Sequence, residues 1–281
     1  MRKVNAPVSS QPKVLIVVPT LGTRAEWLAA CVSSILEASE RTAAVVKVRI
    51  VTPTGVDLGV IAKSAAVEHL VSDRRGLSAA INDGWGEAHD ADYVGWLGDD
   101  DLLSPASLEL TVRALEDSRA APAAYGQVRT IDEYGSTLWL MRPGTWAPAY
   151  MTVGKNLVPQ PGALFRWSAV SRVGVLDESL KAAMDQDLFM RLRRVGRLRY
   201  VGGEVAAFRV HASSITSVGS NSDEGEDLRR RYAPRLARVV RPITRATDRL
   251  IFGVMRRVPT RDAPRSASGA PYVGTGRSRS I

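Results

Sequence analysis

Tyr93-Val94-Gly95-Trp96-Leu97-Gly98-Asp99-Asp100-Asp101 passes from an apolar, aromatic run to three consecutive carboxylates. The run is short and ends at polar residues, the pattern of a strand buried in a parallel sheet. Open α/β sheets bind their ligands at the carboxyl ends of the strands, so the carboxylates stand where a ligand is expected. Adjacent like charges repel by roughly 1 kcal/mol at about 4 Å even in water, and by more beside a low-dielectric wall. A hard divalent cation such as Mg²⁺ or Mn²⁺ relieves that repulsion and bridges to phosphate oxygens. The stretch therefore predicts a metal–diphosphate site. The alternative is a solvated acidic turn that caps the helix starting near Ser104-Pro105.

The same grammar extends on both sides of this strand. Val14-Leu15-Ile16-Val17-Val18, ended by Pro19, reads as another buried parallel strand. Ala25 to about Ser39 carries helical spacing with Leu28, Val32, Ile35 and Leu36 on one face and Thr23 as its N-cap. Further strands are expected over Val45 to Val51 and Ala66 to Val71, and helices over Leu77 to about Ala88 and Pro105 to about Asp117. This alternation predicts an α/β layered fold with a mostly parallel central sheet. From 123 to 166 the pattern changes to short strands (Ala124 to Ile131, Thr137 to Met141, Ala163 to Arg166) divided by Gly and Pro, a mixed extension. A helix from about Met184 to Val195 follows, then an edge strand from Arg199 to Val210. Residues 213–227 read as a loop, and 259–281 as a disordered tail.

Composition sets bounds on the function. The chain has 281 residues, enough for one large domain with an appendage, and its 45% hydrophobic and 24% charged content is that of a globular protein. A single cysteine, Cys31, excludes an internal disulfide framework and fits a reducing compartment; its place in an apolar helix makes it a structural thiol. The N-terminus lacks the apolar core of a secretory signal, and no segment reaches the roughly 20 apolar residues of a membrane span. A cytoplasmic setting is the expectation. The net charge of +9 is concentrated: residues 229–281 hold fourteen arginines against Asp248 and Asp262, a net of +12, which leaves residues 1–228 at −3. Over 241–258, apolar residues interleave with five arginines, as in a basic amphipathic helix lying on an anionic membrane surface; a helix packed on the domain is the alternative. No zinc motif or aromatic-interleaved platform supports nucleic-acid binding.

Four segments then line up in order: Val14 to Thr20; Gly76-Leu77-Ser78-Ala79-Ala80-Ile81-Asn82-Asp83-Gly84; Trp96 to Pro105; and Pro161 to Arg166 leading to Met184-Asp185-Gln186-Asp187. Over roughly residues 12–212 this set resembles the family 2 glycosyltransferases of the GT-A fold. The resemblance implies a nucleotide-binding half (12–118) and an acceptor-binding half (119–227); composition adds a polar lead-in (1–11) and a basic extension (228–281). The resemblance also implies an inverting, metal-dependent transfer of a sugar from a nucleotide diphosphate sugar to a glycan or lipid-linked acceptor, in cell-envelope or polysaccharide biosynthesis. Pro19 and Thr20 would open the nucleotide pocket, Asn82 would lie beside the nucleotide, and Asp99 would meet the ribose or the metal. Asp100 would hold Mg²⁺ or Mn²⁺ with help from Asp101 and His211, and Asp185 would be the base, with Asp187 in reserve and paired to Arg191 at i+4.

Three departures accompany the resemblance. Gly98 stands where relatives often carry an acidic residue or Asn, Met184 stands where they often carry Glu, and the second strand ends Val51-Thr52-Pro53-Thr54-Gly55 in place of an Asp-rich turn that reads the base. Asp73 and Arg74 are the candidates to compensate at the base, Arg24 to meet the diphosphate, and Trp139 and Trp146 to stack on an acceptor sugar. Two other readings remain: a catalytically silent module of the same fold, and a nucleotidyltransferase. For the latter, Leu21-Gly22-Thr23-Arg24 is a poor triphosphate loop.

Overall fold

Val14, Ile16 and Val18 of strand Lys13–Pro19 (β1) pack into one apolar layer, Leu15 and Val17 into the other, and all five are buried. A strand covered on both faces needs no polar alternate positions, which is why the run is continuous. The computed structural model that shows this describes residues 11–59, 61, 64–86, 88–211, 221–232 and 248. Helices Ala25–Ser39 (α1) and Ser107–Glu116 (α3) cover the first face; Leu77–Gly86 (α2), Trp167–Val173 (α5) and Met184–Leu192 (α6) cover the second.

Strand β1 lies between Val45–Thr52 (β2) and Tyr93–Trp96 (β4), with Val67–Val71 (β3) outside β2, all parallel. Beyond β4 the sheet is mixed. Leu164–Arg166 (β8) is antiparallel both to β4 and to the first part of Ala123–Ile131 (β6), and Thr137–Met141 (β7) pairs with the rest of β6. Arg199–Arg209 (β9) runs parallel to β6 and takes the two-residue Leu102–Leu103 (β5) on its far side. Two antiparallel steps through β8 return β6 and β9 to the direction of β1. The carboxyl ends of β1, β2, β3, β4, β6 and β9 therefore share one edge of the sheet, where an α/β ligand site forms.

The expected alternation, the mixed second half and the larger helices are all present, with three corrections. Arg24, not Thr23, is the N-cap residue of α1, and no side chain caps that helix; Thr20 Oγ1 instead accepts the Gly22 N–H at 3.0 Å. Strand β9 is not the sheet edge, because β5 folds back onto it. Of the expected loop 213–227, residues 213–220 lie outside the described residues, and 221–227 are not loop but the start of helix Asn221–Tyr232 (α7). The basic extension past 232, Asp248 apart, and the polar lead-in before 11 lie outside the described residues. Among the described residues, no helix is long and apolar enough to cross a membrane.

Gly84 shows why α2 sits so close to the sheet. A Cβ at this position would stand 2.6 Å from Val17 Cγ1 and 3.1 Å from Val51 Cγ2, and both valines are buried in strands that cannot retreat. Gly84→Ala is expected to cost about 1–3 kcal/mol through overpacking, read as a lowered midpoint in urea with an unchanged slope. An unaltered midpoint would show that α2 shifts freely.

Candidate functional site

The shared strand edge opens into a cleft of about 660 Å³. Its floor is apolar: Trp96 stacks on Phe165 with ring centroids 5.3 Å apart, and fully buried Trp85 meets Trp96 edge-on.

The acidic run forms that rim, and it is not a solvated turn. Asp99 and Asp101 are 5% and 4% exposed, and α3 starts only at Ser107. Asp99 accepts hydrogen bonds from Thr20 Oγ1 at 2.5 Å and from Arg24 Nη2 at 2.9 Å. Burial nonetheless holds its carboxyl above the ordinary value, against the pull of Thr20 and Arg24. Asp100 Oδ2 lies 2.7 Å from His211 Nε2 and 3.4 Å from Arg24 Nη1, and the same histidine nitrogen lies 3.0 Å from that Nη1. Asp101 Oδ1 accepts the Arg209 N–H at 2.9 Å, while Arg209 Nε donates to the Asp100 carbonyl at 2.9 Å. The end of β9 thus pins the acidic loop from the far side of the sheet. Burial, then the Asp100 charge, pushes the Asp101 carboxyl well up.

Gly98 has a steric explanation. A Cβ there would stand 2.7 Å from Asp100 Oδ1 and 3.2 Å from Asp101 Oδ2, so a larger residue would displace both carboxylates. Cys31 is buried beneath this turn, its Sγ–H directed at the Gly98 carbonyl at 3.3 Å, and burial raises its pKa well above the ordinary thiol value. It is the structural thiol that its helix suggested.

Asp185 enters the cleft from the first turn of α6. It pairs with no cation among the described residues. Asn156 Nδ2 donates to its Oδ2 at 3.2 Å, and desolvation lifts its pKa to about 6 despite backbone N–H bonds from Gln186 and its own residue. A carboxyl poised there can exchange a proton near neutral pH. Asp187 differs in kind: it is 1% exposed and fully engaged, with Arg191 Nε on Oδ2 at 2.7 Å and the Tyr232 hydroxyl on Oδ1 at 2.6 Å. The expected i+4 pair is formed, and it locks the helix.

Pro19, Thr20, Arg24, Asp99, Asp100, Asp101 and Asp185 all line the cleft, and His211 joins through Asp100. Asp73 stands beside it between lining residues Ser72 and Arg74, its carboxylate taken by Thr54 N and Oγ1. Asn82 is not brought in: it is buried, donating to the Leu176 carbonyl and Glu178 Oε1 and accepting the Leu176 N–H. Trp139 lies on the same face of β7 as lining residue Met141, and Trp146 is 45% exposed against Tyr150. Sequence reading overlooked Asn156 and Lys181, which also line the cleft; neither sits in a patterned motif.

Residues 15–171 match the family model described as glycosyl transferase family 2. The chain belongs to this family. Among curated relatives, an uncharacterized glycosyltransferase of Rickettsia felis is 23% identical over 165 residues, 56% of this chain and 27% of that protein. One of Rickettsia prowazekii is 25% identical over 171 residues, 57% of this chain and 52% of its own length. The transferase described here thus spans between a quarter and about half of these relatives. Among solved structures, residues 1–349 of S. aureus TarS in complex with UDP-GlcNAc superpose with a TM-score of 0.57 at 13% identity, over 77% of this chain and 64% of that one. A longer TarS structure gives 0.56 at 12% identity over 87% and 54%. These likenesses establish a shared GT-A-type fold.

The acidic rim also has to be tested as a metal site. Among the described residues no three His, Cys, Asp or Glu side chains converge into a cage. A carboxylate oxygen and an imidazole nitrogen do meet, at Asp100 and His211, on an open cleft. Mg²⁺ is commonly held by only one or two carboxylates, with substrate phosphates and waters completing the shell, so the pair fits a metal that arrives with its diphosphate.

Proposed function

We propose that this family 2 transferase moves a sugar, with inversion, from a nucleoside diphosphate sugar to a hydroxyl of a glycan or lipid-linked acceptor in envelope or polysaccharide biosynthesis. The observation that carries the reading is Asp185: a carboxyl with no cationic partner among the described residues, raised to about 6, in the same cleft as the acidic rim. In this reaction the acceptor oxygen attacks the anomeric carbon while its proton passes to Asp185. The bond from that carbon to the diphosphate oxygen breaks, and the nucleoside diphosphate leaves. One base and a displacement from the face opposite the leaving group invert the anomeric centre.

The chain's own cations serve the leaving group. Arg24 stands at the rim between Asp99 and Asp100, and Lys181 lines the cleft near the start of α6. Asp99, held by Thr20, is assigned to the ribose. Asp100 and His211 would hold Mg²⁺ or Mn²⁺, which supplies Lewis-acid stabilisation of the departing diphosphate. Asp73 and Arg74, beside the end of β2, are assigned to the base edge, and Asn82 to the shape of the loop behind it. We assign the reaction to the cytoplasm; the fourteen arginines of 229–281 support a peripheral hold on an anionic membrane face.

Calorimetric titration with UDP, GDP, dTDP and CDP, each with and without Mn²⁺, tests the reading. One nucleotide is expected to bind tightly and only with metal. UDP belongs in the panel because TarS has been solved with UDP-GlcNAc. Failure of all four in both conditions would favour the silent module, and release of pyrophosphate from a nucleoside triphosphate would favour the nucleotidyltransferase.

A further inference from the structure

A helix begins with backbone N–H groups that have no partner inside it, and a side-chain acceptor at the N-cap ordinarily satisfies one of them. Helix α6 carries the proposed base, yet its N-cap residue is Ala183, which has no acceptor to offer. Inside the helix the Asp185 carboxylate itself takes the Asp185 and Gln186 N–H groups, and the turn that enters α6 is held from elsewhere in the chain. Glu224 of α7 takes the Lys181 N–H on Oε1 at 3.0 Å and the Ala182 and Ala183 N–H groups on Oε2 at 2.9 and 3.1 Å. Burial alone would push the Glu224 carboxyl up; these donors outweigh it and hold the group below its ordinary value. An anion at this end of α6 also matches the sign of the helix dipole.

Helix α7 is seated to deliver that carboxylate. Leu228 is buried in the same apolar cluster as Met184 and Leu188. Gly225 lets the helices close up, since a Cβ there would stand 3.1 Å from Gln186 Oε1. The Tyr232 hydroxyl donates to Asp187. The same C-terminal stretch reaches the turn that carries Asn156: Arg229 Nη1 donates to the Gly154 carbonyl at 3.3 Å, and Asp248 Oδ1 accepts from the Tyr150 hydroxyl and the Lys155 N–H at 2.8 and 2.9 Å. Both supports of Asp185, the first turn of α6 and the Asn156 turn, are therefore braced by residues beyond β9.

We infer that Glu224 is a positioning residue for Asp185, a cap on the turn that enters α6 at Ala183, and that the segment after β9 completes the half of the enzyme that carries Asp185. The inference rests on Asp185 acting as the base. It also moves the boundary of the extension, since a cut after 227 would remove Leu228, Arg229, Tyr232 and Asp248 from the assembly.

Glu224→Ala and Glu224→Gln in the full chain test it. Loss of the cap is expected to lower kcat about 10–100-fold with the donor KM within about threefold, because the misplacement acts on the chemical step. Gln keeps one carbonyl acceptor, enough for the Ala182 and Ala183 amides but not for Lys181 as well, and is expected to retain more of kcat than Ala. Hydrogen exchange at the Lys181, Ala182 and Ala183 amides should accelerate in the Ala variant, and in the Gln variant chiefly at Lys181. If the Ala variant does not fold, Glu224→Asp, with a shorter reach and the same charge, replaces it under the same criteria. Wild-type kcat in a folded Ala variant, or unchanged exchange at the three amides, overturns the inference. A wild-type protein that transfers no sugar overturns the proposed reaction instead, and the exchange rates still decide the cap.

Discussion

Asp185→Asn is expected to reduce sugar transfer by about 10²–10⁴-fold, the usual contribution of a positioned base, while metal-dependent nucleotide affinity stays within a fewfold of wild type. Asn preserves the size of the side chain and its contact with Asn156, so the loss reports the missing proton acceptor. The wild-type rate carries a pH signature: the base must be ionised, and its pKa is about 6, so kcat/KM should rise with pH through that value and level off above it. The variant's residual rate should lack this limb. Stability supplies a second readout with the opposite sign. A folded-state pKa above the unfolded value of about 3.9 means that the native protein binds the extra proton between the two. Wild type therefore loses on the order of 2 kcal/mol as pH rises from about 4 to about 7, and Asp185→Asn does not. Relative to wild type, the variant's unfolding midpoint should climb over that interval. Loss of nucleotide binding in this variant would reassign Asp185 to the donor site.

What could be read in advance follows the range of the interactions. β1 and β4 announce themselves because each is buried on both faces, so every residue in the run reports the same environment. The acidic turn is legible because three adjacent carboxylates are unstable without a reason to be there. Asp185 is less so: a carboxylate in the first turn of a helix is ordinary chemistry, and only its alignment with the family's ordered segments distinguishes it from Asp187. Asn156 and Glu224 were invisible. Each acts on α6 from a distant part of the chain, through neutral hydrogen bonds or backbone amides that leave no periodic trace. Helix α7 was missed for a related reason. Its first seven residues are polar with a glycine among them, and Leu228 and Tyr232 are its apolar anchors, so tertiary contact holds it where propensity would not. Asn82 shows the opposite limit: its motif points to the nucleotide, while in the fold its buried amide holds the 176–178 loop.

Asp100→Ala and Asp101→Ala are expected to part company, although the residues are neighbours with the same side chain. Asp100 presents Oδ2 to His211, to Arg24 and to the cleft, with 18% of its side chain exposed, while its tie to Arg209 runs through the backbone carbonyl, which Ala retains. Its removal should abolish the Mn²⁺ dependence of nucleotide affinity and lower transfer by about 10²-fold or more, since Lewis-acid stabilisation is worth several kcal/mol. The unfolding midpoint should move little. Asp101 is committed to the Arg209 N–H in a buried setting. Its removal leaves that donor unpaired at a cost of about 1–3 kcal/mol and lets the end of β9 drift, so stability falls first while the metal response of the folded fraction persists. Calorimetric affinities with and without Mn²⁺, read beside urea midpoints for both variants, separate the two roles. An intact Mn²⁺ response in Asp100→Ala would remove the metal from this carboxylate. A lost response in Asp101→Ala at unchanged stability would place the metal on Asp101, and β9 would then be held to the acidic loop mainly by the Arg209 guanidinium on the Asp100 carbonyl.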